Sequence, residues 1–454
     1  MKIDRALFDK LATYPHVVVS WVGDDGYPTQ TAASFEADAD ALEVRIARTG
    51  LPLPTDRQVN VTVSHVRPQP GTGYDQRRYI CLWGTLAEGD KGFTLKPERA
   101  WGWDEQETPF FEYVERSNPV AMEYMSKLSL ERGAPVKPQL SRFWTFLVAT
   151  RLPFLTATIV PILLGIAVAA YHGHFSWWLA ALTLIGGMAV HIGLNVANDV
   201  FDAMSGADEA NVSPTQFSGG SRVIQRGLVT LRQMSTISLV AYAVAISIGI
   251  FLVINRASVE LFVIGVAGVF LSVFYTAPPF RLVHHGLGEL TTALGFGPVM
   301  VLGAYVVQAQ HLSGEAFVAS VPVAILIALI LYVNEIPDRH SDAKVGKRTL
   351  PVRMGQALVT QGFLVAALSA FAVVAIGAAT GYLPRPTLIA LLALPLAFKV
   401  YDGIRAHYNR PYDLMATMGH NVQLHLLTGV LLFTGYMVAV IADKVMDSPP
   451  GILS

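Results

Sequence analysis

The sequence is organised around one stretch, Asn195-Val-Ala-Asn-Asp-Val-Phe-Asp-Ala-Met-Ser-Gly-Ala-Asp208, which follows an apolar run from Trp177 to Leu194. Four side chains that can bind a metal fall on one face of a helix: Asn195, Asn198, Asp199 and Asp202. Gly206 offers a place for the helix to end, which leaves Asp208 on the loop beyond it. Acids at the end of a membrane-type helix are costly unless they bind something. Carboxylates and carboxamides are hard oxygen ligands, so the stretch predicts a Mg²⁺ site that also holds substrate phosphates.

A second polar stretch, Asn334-Glu-Ile-Pro-Asp-Arg-His-Ser-Asp342, ends another apolar run and precedes the basic residues Lys347 and Arg348. Its asparagine and its first aspartate each lie 139 residues after their counterparts in the first stretch. Matching acid clusters in two halves predict one divided site assembled across an internal repeat. The second half adds three predicted metal ligands: Asn334, Asp338 and Asp342. The alternative is a pair of solvated helix ends.

The composition separates a soluble part from a membrane part. Only 15% of the 454 residues are charged and 52% are hydrophobic, whereas soluble domains average about 25% charged residues. The net charge of −1 gives no electrostatic footprint for nucleic acid. The single cysteine, Cys81, excludes an internal disulfide framework and fits a reducing compartment. Charge is concentrated before about residue 140, so we expect a multi-domain protein in which a soluble domain precedes membrane spans.

The first domain is predicted to be a small antiparallel β-barrel of the α+β type. After a short amphipathic helix come five β-branched or alternating runs: His16–Val22, Thr29–Phe35, Ala41–Ala47, Val59–Val66 and Tyr79–Leu86. Tight turns separate these runs, which favours a barrel or sandwich of five or six strands. A helical tail from Phe110 to Glu131 follows. We place this domain at residues 1–135 and a linker at 136–141.

This domain resembles the flavin-binding split barrels of the pyridoxamine-phosphate-oxidase-like superfamily. The resemblance lies in the opening helix, in the strand-turn-strand of Val17 to Ala33, and in basic residues beside Arg67-Pro-Gln-Pro-Gly71. It implies an FMN site whose phosphate is held by three arginines: Arg67, Arg77 and Arg78. A flavin there would reduce a quinone for the membrane domain. Two alternatives stay open: solvated surface arginines, and a cofactor-free regulatory barrel.

Residues 142–446 are predicted to form an all-α membrane bundle of nine transmembrane helices, each with roughly the 20 apolar residues that cross a bilayer. The predicted spans are 143–171, 177–200, 233–254, 258–276, 286–308, 315–336, 358–380, 386–402 and 421–442. Lys and Arg are concentrated in the loops that also hold the acid clusters, and the opposite loops between spans contain only Arg256 and Arg385. By the positive-inside rule, the acid clusters and the first domain are cytoplasmic. The odd number of spans places the C-terminus on the opposite side of the plasma membrane.

Basic side chains accompany the acids on the same face. The loops after spans two, four and six contribute four predicted diphosphate-binding residues: Arg222, Arg281, Lys347 and Arg348. Acids and bases at one membrane face would otherwise neutralise each other, but a diphosphate with bridging Mg²⁺ uses both signs at once. For Arg281 or Arg348 alone, the alternative is a positive-inside anchor.

The membrane domain resembles the UbiA prenyltransferase superfamily over about residues 140–442. Three motifs carry the resemblance: Asn195 to Asp208, Tyr275 to Arg281 with Glu289, and Asn334 to Asp342. Gly346-Lys-Arg-Thr-Leu and Phe217-Ser-Gly-Gly-Ser-Arg222 look most like the 1,4-dihydroxy-2-naphthoate polyprenyltransferases of menaquinone synthesis. The resemblance implies a Mg²⁺-dependent membrane enzyme that moves a polyprenyl group from its diphosphate to an aromatic or quinone precursor.

In that reaction, metal and cations stabilise the charge on the departing diphosphate, and an electron-rich aromatic carbon attacks the allylic fragment. Three catalytic residues are expected: Asp208, Tyr275 and Arg151. Asp208 would activate the acceptor hydroxyl or take its proton, Tyr275 would stabilise the allylic cation, and Arg151 would pair with an acceptor carboxylate. The alternatives are a packing or interfacial role for Tyr275 and snorkelling for Arg151.

The acceptor, the donor chain length and the oligomeric state stay open. Other acceptors in the superfamily are haem, a chlorophyll-type alcohol and a glyceryl phosphate lipid. Outside the enzyme class, the alternative is a transporter built on repeats, although transporters place coupling charges near the bilayer midplane. The histidines show no zinc spacing.

Overall fold

A computed structural model of the chain describes residues 1–69, 73–136, 140–211, 214–215 and 217–446. The chain divides into two compact units, Met1–Ala121 and Met122–Ser454. The boundary lies inside helix Phe110–Arg132, and this helix coincides with the helical tail predicted from sequence. Residues 137–139 of the predicted linker lie outside the described residues, and the predicted domain limits stay predictions.

The N-terminal unit is an antiparallel sheet with a short helix, α1 (Arg5–Leu11), packed into its core. Asp4 caps α1 by accepting the Leu7 N–H at 3.1 Å. The helix buries Leu7, Phe8 and Leu11 in one core with alternate strand residues. The strands are β1 (Val17–Val22), β2 (Pro28–Ala33), β3 (Phe35–Asp38), β4 (Glu43–Ala47), β5 (Gln58–Gln69), β6 (Gly73–Gly89), β7 (Gly92–Leu95) and β8 (Arg99–Asp104).

The strand order is β2-β1-β5-β6-β7-β4-β3, with β8 paired to β6. The long strand β6 pairs with β5 and β8 along its first part and with β7 at its end. This confirms the predicted antiparallel domain, but the prediction missed three strands. β3 and β7 have four residues each, too few for a period-two signal, and β8 contains an interior glycine. The order begins at β2 and ends at β3, so closure into a split barrel stays a prediction.

The second unit is helical. After α2 (Phe110–Arg132), which contains the boundary, the helices are α3 (Arg142–Ala149), α4 (Thr156–Tyr171), α5 (Trp177–Ser205), α6 (Ala207–Ala210), α7 (Leu231–Arg256), α8 (Val259–Phe274), α9 (Gly288–Leu294), α10 (Met300–Ala309), α11 (Gly314–Lys344), α12 (Leu350–Arg353), α13 (Gln356–Ala379), α14 (Leu394–His407) and α15 (Met415–Met446). Among the residues described, seven helical segments are long and apolar enough to cross a membrane. The shorter apolar helices α4 and α8 coincide with two further predicted spans. A bundle of several membrane-type helices is thus confirmed, and the count of nine crossings stays a prediction.

The first predicted span is divided. Arg151 adopts a left-handed φ of 52° after α3, and a 3₁₀ turn (Leu152–Leu155) leads into α4. Pro153 in this turn has no N–H to donate, which disfavours a continuous helix from 143 to 171. A π-helical turn, Gly295–Val299, likewise joins α9 to α10 around Pro298.

The two helices that carry the acid clusters extend beyond the predicted membrane spans. α5 continues five residues past the span limit at 200 to Ser205, and Gly206 ends it with a φ of 75°, which confirms the helix end predicted at this glycine. α11 continues beyond the predicted end at 336 to Lys344. Both acid clusters therefore lie on the last turns of long helices, where regular backbone geometry fixes their side chains.

Candidate active site

The acidic ends of α5 and α11 face one polar cavity of about 210 Å³. Seven residues that were predicted from the two acid clusters and from the segment after α5 line this cavity: Asn195, Asn198, Asp202, Asp208, Asn334, Asp338 and Asp342. Asp199 lies behind the lining and is only 2% exposed. The structure thus brings together the two stretches that the sequence places 139 residues apart.

One loop bonds to an acid from each helix. The Gly219 N–H donates to Asp338 Oδ2 at 3.0 Å, and the Ser221 N–H donates to Asp199 Oδ2 at 3.1 Å. Gly219 and Gly220 have φ values of 76° and 72°, which favour glycine. A Cβ on Gly220 would lie 3.1 Å from Asp199 Oδ1 and 3.2 Å from Asp208 Oδ1. A side chain at Gly220 would therefore crowd both carboxylates, which would have to shift by a few tenths of an ångström.

Lys347 forms ion pairs with an acid from each of the two clusters. Its Nζ lies 2.7 Å from Asp202 Oδ1 and 3.9 Å from Asp342 Oδ1, and its side chain is buried. Burial disfavours the charged amine, but the carboxylates outweigh this effect and raise the pKa of Lys347 above its ordinary value. Lys347 is therefore a permanent cation at the point where the two helices meet.

Asp208 lines the cavity from the short helix α6 and not from a loop as predicted, because the chain resumes helical geometry directly after Gly206. Its Oδ2 accepts a hydrogen bond from Gln225 Nε2 at 3.0 Å, and its backbone oxygen accepts one from the Arg222 guanidinium. Burial, with repulsion from Asp202 and Asp199, raises the pKa of Asp208 to about 8. A divalent cation in the cavity would oppose this repulsion and favour the carboxylate.

The oxygen-rich side chains suit a hard cation such as Mg²⁺. Asp199 Oδ1 and Asn334 Oδ1 are buried without a hydrogen-bond partner, so both are available as ligands. However, no three acidic, histidine or cysteine side chains in the described ranges converge on one ion position. The acids contact Lys347, Asn211 and the loop N–H groups instead. The residues fit the ion in chemistry, and binding would require some of these contacts to be exchanged.

The other predicted residues are divided between the cavity and the surface. Tyr275 and Arg151 line the cavity. Arg151 Nη2 donates to the Phe217 carbonyl at 3.1 Å. Arg281 and Arg348 are exposed and absent from the lining. A direct role of these two arginines in diphosphate binding stays a prediction.

Two residues of the site were not among the predicted ligands. Asn211 Nδ2 donates to Asp338 Oδ1 at 2.9 Å, and this contact across 127 residues leaves no periodic signal in the sequence. Glu335 lines the cavity. Its position three residues before Asp338 on α11 places both on one helical face, so this signal was available.

A second cavity, apolar and about 790 Å³ in volume, adjoins the polar one. Five residues line both cavities: His191, Leu194, Tyr275, Thr292 and Phe296. On the other side, its lining includes exposed apolar residues of α7 and α8, such as Ile250, Phe262 and Val266. The apolar cavity therefore runs from the acidic site to the outer surface of the bundle.

In the N-terminal unit, Arg77 already has partners. Its Nη2 donates to Glu105 Oε1 at 2.5 Å, and its guanidinium lies 4.4 Å from the Phe110 ring centroid. Arg78 lies over the Tyr14 ring at 5.2 Å, and its Nε is buried without a hydrogen-bond partner. The side chain of Arg67 lies outside the described residues. The pairing of Arg77 with Glu105 gives no support to a flavin-phosphate site.

Membrane-type helices, an acidic site at their ends and an adjoining apolar cavity define a membrane enzyme that acts on an amphiphilic substrate. The particular family follows from comparison: the chain belongs to the UbiA prenyltransferase family, whose model matches residues 158–437. This confirms the predicted prenyltransferase class.

Similar proteins have named activities of this class. The chain is 31% identical to the 2-carboxy-1,4-naphthoquinone phytyltransferase of Synechocystis sp., over 66% of this chain and 94% of that protein. It is 26% identical to the 1,4-dihydroxy-2-naphthoate octaprenyltransferase of Bacillus subtilis, over 64% of this chain and 91% of that one. A solved UbiA homologue from Archaeoglobus fulgidus bound to GPP and Mg²⁺ matches 63% of this chain and 99% of its own, with 12% identity and a TM-score of 0.46.

Proposed function

We propose that this protein is a Mg²⁺-dependent polyprenyltransferase whose acceptor is 1,4-dihydroxy-2-naphthoate or a closely related naphthoate. The observation that carries the proposal is the polar cavity, lined by acids from two distant helices and opening into an apolar cavity. Such a pair of cavities fits a diphosphate head on a hydrocarbon tail. The named activities of the relatives from Synechocystis and Bacillus subtilis support a naphthoate acceptor.

The acids would hold Mg²⁺, and the ion would supply charge stabilisation for the leaving diphosphate. The predicted ligands are Asn195, Asn198, Asp199, Asp202, Asn334, Asp338 and Asp342. Lys347 already lies among these acids and would contact diphosphate oxygens once the acids turn to the metal. Arg222, held by the backbone of Asp208, would add a second cation from the loop after α5.

The apolar cavity would hold the isoprenoid tail, because its lining is almost entirely hydrocarbon. The allylic carbon would then lie where the cavities meet, beside Tyr275, whose ring can stabilise positive charge. Arg151, which also lines the polar cavity, would pair with the acceptor carboxylate, and Asp208 would take a proton from the acceptor.

We further propose that the chain crosses the plasma membrane nine times with the acidic site on the cytoplasmic side. The positive-inside bias of the loops supports this topology. It can be tested in a Cys81→Ser background by labelling single cysteines with a membrane-impermeant maleimide. Phe175→Cys should react in intact cells, and Arg410→Cys should react only after permeabilisation. The reverse pattern would contradict the orientation.

Flavin binding by the N-terminal domain rests only on the resemblance to split barrels. Full-length protein purified with added FMN, then desalted and denatured, should release stoichiometric flavin fluorescence if the site exists. Absence of flavin would leave the transferase proposal intact.

The transferase proposal can be tested with purified full-length protein, Mg²⁺, and prenyl diphosphates of several lengths. Mass spectrometry of the products with naphthoate, haem, chlorophyll-type and glyceryl phosphate acceptors should show transfer to the naphthoate. Asp199→Asn and Asp338→Asn should abolish both transfer and diphosphate release. Asp402→Asn, at an exposed acid of the same unit, is the control and should retain activity. Diphosphate release that persists in both Asp199→Asn and Asp338→Asn would refute the proposal.

A further inference from the structure

Two glutamates outside the predicted metal ligands form a buried carboxyl pair. Glu289 on α9 and Glu335 on α11 lie side by side and are 9% and 6% exposed. The two carboxyl groups lie within hydrogen-bonding reach of each other, and the backbone N–H of Leu350 is near Glu289, but no other side chain in the described part of the chain donates a hydrogen bond to these four oxygens. Buried acceptors without donors are destabilising. The pair therefore has unused capacity to accept hydrogen bonds from a ligand.

The nearby cations do not satisfy this pair. Lys347 donates to Asp202 at 2.7 Å, and Arg353 Nη2 donates to the His285 carbonyl at 3.2 Å. The pair also lacks a third acidic or histidine ligand that would define a metal position among the described residues. Neither an internal ion pair nor a metal site thus accounts for these carboxyl groups.

The position of the pair indicates which part of a substrate it faces. Glu335 lines the polar cavity together with Tyr275, and Tyr275 also lines the apolar cavity. Glu335 therefore lies near the junction where the donor's allylic carbon and the acceptor ring must meet. A carboxylate accepts hydrogen bonds and repels phosphate and carboxylate groups, so it recognises a hydroxyl group.

We propose that Glu335, supported by Glu289, binds a ring hydroxyl of the aromatic acceptor and so positions the ring for attack. This inference rests on the proposed function and specifies how the acceptor is recognised. A hydrogen bond from the hydroxyl to a carboxylate also increases the electron density of the ring, which makes the attacking carbon more nucleophilic. The lining of the cavity contains both Glu335 and Arg151, and these opposite charges would distinguish the hydroxyl end of the acceptor from its carboxylate end.

The test measures steady-state kinetics of the full-length enzyme carrying Glu335→Gln or Glu289→Gln. The KM for the hydroxynaphthoate should rise about tenfold or more for Glu335→Gln, the size expected for losing a charge-assisted hydrogen bond. The KM for the prenyl diphosphate should change less than about twofold. The melting temperature should stay the same or rise, because an amide can donate to the neighbouring carboxylate and removes charge repulsion. Glu260→Gln, at an exposed glutamate of the same unit, is the control.

Acceptors with one hydroxyl methylated provide the second measurement. Methylation of the recognised hydroxyl should lower kcat/KM of the wild type about tenfold and have little further effect on Glu335→Gln. An unchanged acceptor KM in both variants, or an equal loss for both acceptor types, would overturn the inference. A raised Mg²⁺ requirement with unchanged acceptor KM would overturn it as well and assign the pair to a metal. If the wild type transfers to no hydroxylated aromatic, the proposed function itself fails.

Discussion

Gly220 shows how much a single residue decides in this site. Its φ of 72° favours glycine, and a Cβ at this position would crowd the carboxylates of Asp199 and Asp208. Gly227 is a matched case, since it has a φ of 66° but no atom within 4 Å of the position that a Cβ would take.

We expect Gly220→Ala and Gly227→Ala to share the backbone cost of about 1–2 kcal/mol for a left-handed alanine. Only Gly220→Ala should also displace the acids, and its kcat should fall about tenfold or more while Gly227→Ala keeps near-normal turnover. Melting temperature and prenyl transfer of both variants check this. Equal activities would mean that the loop does not set the position of the acids.

Lys347 and Arg348 are adjacent in sequence but differ in surroundings. Lys347 is buried between acids of both helices, whereas Arg348 is exposed. Lys347→Met should lower kcat by about 100-fold or more, the size expected when a preorganised charge on the reacting group is lost. Arg348→Met should change kcat by less than about threefold, measured by product formation at saturating Mg²⁺. A large loss of kcat in Arg348→Met would support the direct role in diphosphate binding that the sequence predicts for it.

At this scale, sequence reasoning succeeded where periodicity applied and failed where contacts cross loops. The helical spacing of the first acid cluster predicts that its side chains share one face of the helix. Asn195, Asn198 and Asp202 do line the cavity together, and Asp199 lies behind them. The Asn211 and Ser221 contacts arise from loop conformation, which no repeat in the sequence encodes. A bias of positive charge could not distinguish Lys347 from Arg348, because both follow the same acid cluster.

At the scale of elements, α8 forms one wall of the apolar cavity. Gly265 lines the cavity and has no atoms within 4 Å of a Cβ position, whereas Val263 on the same helix is 59% exposed and outside the lining. Gly265→Phe should therefore shorten the space for the tail, and Val263→Phe should not.

We expect kcat/KM of Gly265→Phe to fall about tenfold or more for long donors and much less for five- and ten-carbon donors. Competition between donors of different length, read by mass spectrometry, measures the change directly. Val263→Phe should retain the wild-type ratio. An equal loss for all donors in Gly265→Phe would indicate a folding defect, which the melting temperature would reveal.

Long helices and strands could be predicted from the sequence, whereas the shortest strands could not. Long apolar runs identified the membrane helices, since burial in hydrocarbon requires a sustained signal. Short strands such as β3 and β7 carry too few residues for one. The predicted spans end at 200 and 336, before the helices do, because polar residues end a hydropathy signal before they end a helix, whereas Gly206 correctly marked the end of α5.

At the scale of the whole molecule, we expect the acidic cavity to make stability depend on metal. Buried carboxylates repel one another, and ions that bind only the folded state stabilise it by mass action. Mg²⁺ with pyrophosphate should raise the melting temperature of the wild type by several degrees and that of Asp199→Asn/Asp338→Asn only slightly, measured with EDTA as reference. Equal shifts in both proteins would mean that the ions bind elsewhere.

The wall common to the two cavities has a consequence for turnover. A substrate that extends through both cavities would have its hydrocarbon tail in the apolar cavity and its diphosphate in the polar one. Cleavage of the bond between them would therefore separate two products that already occupy different environments. In the proposed reaction, the prenylated ring would leave sideways past the exposed lining residues of α7 and α8, while diphosphate would leave toward the aqueous side. Partition between the two phases would then release both products without moving the hydrocarbon chain out of the bilayer.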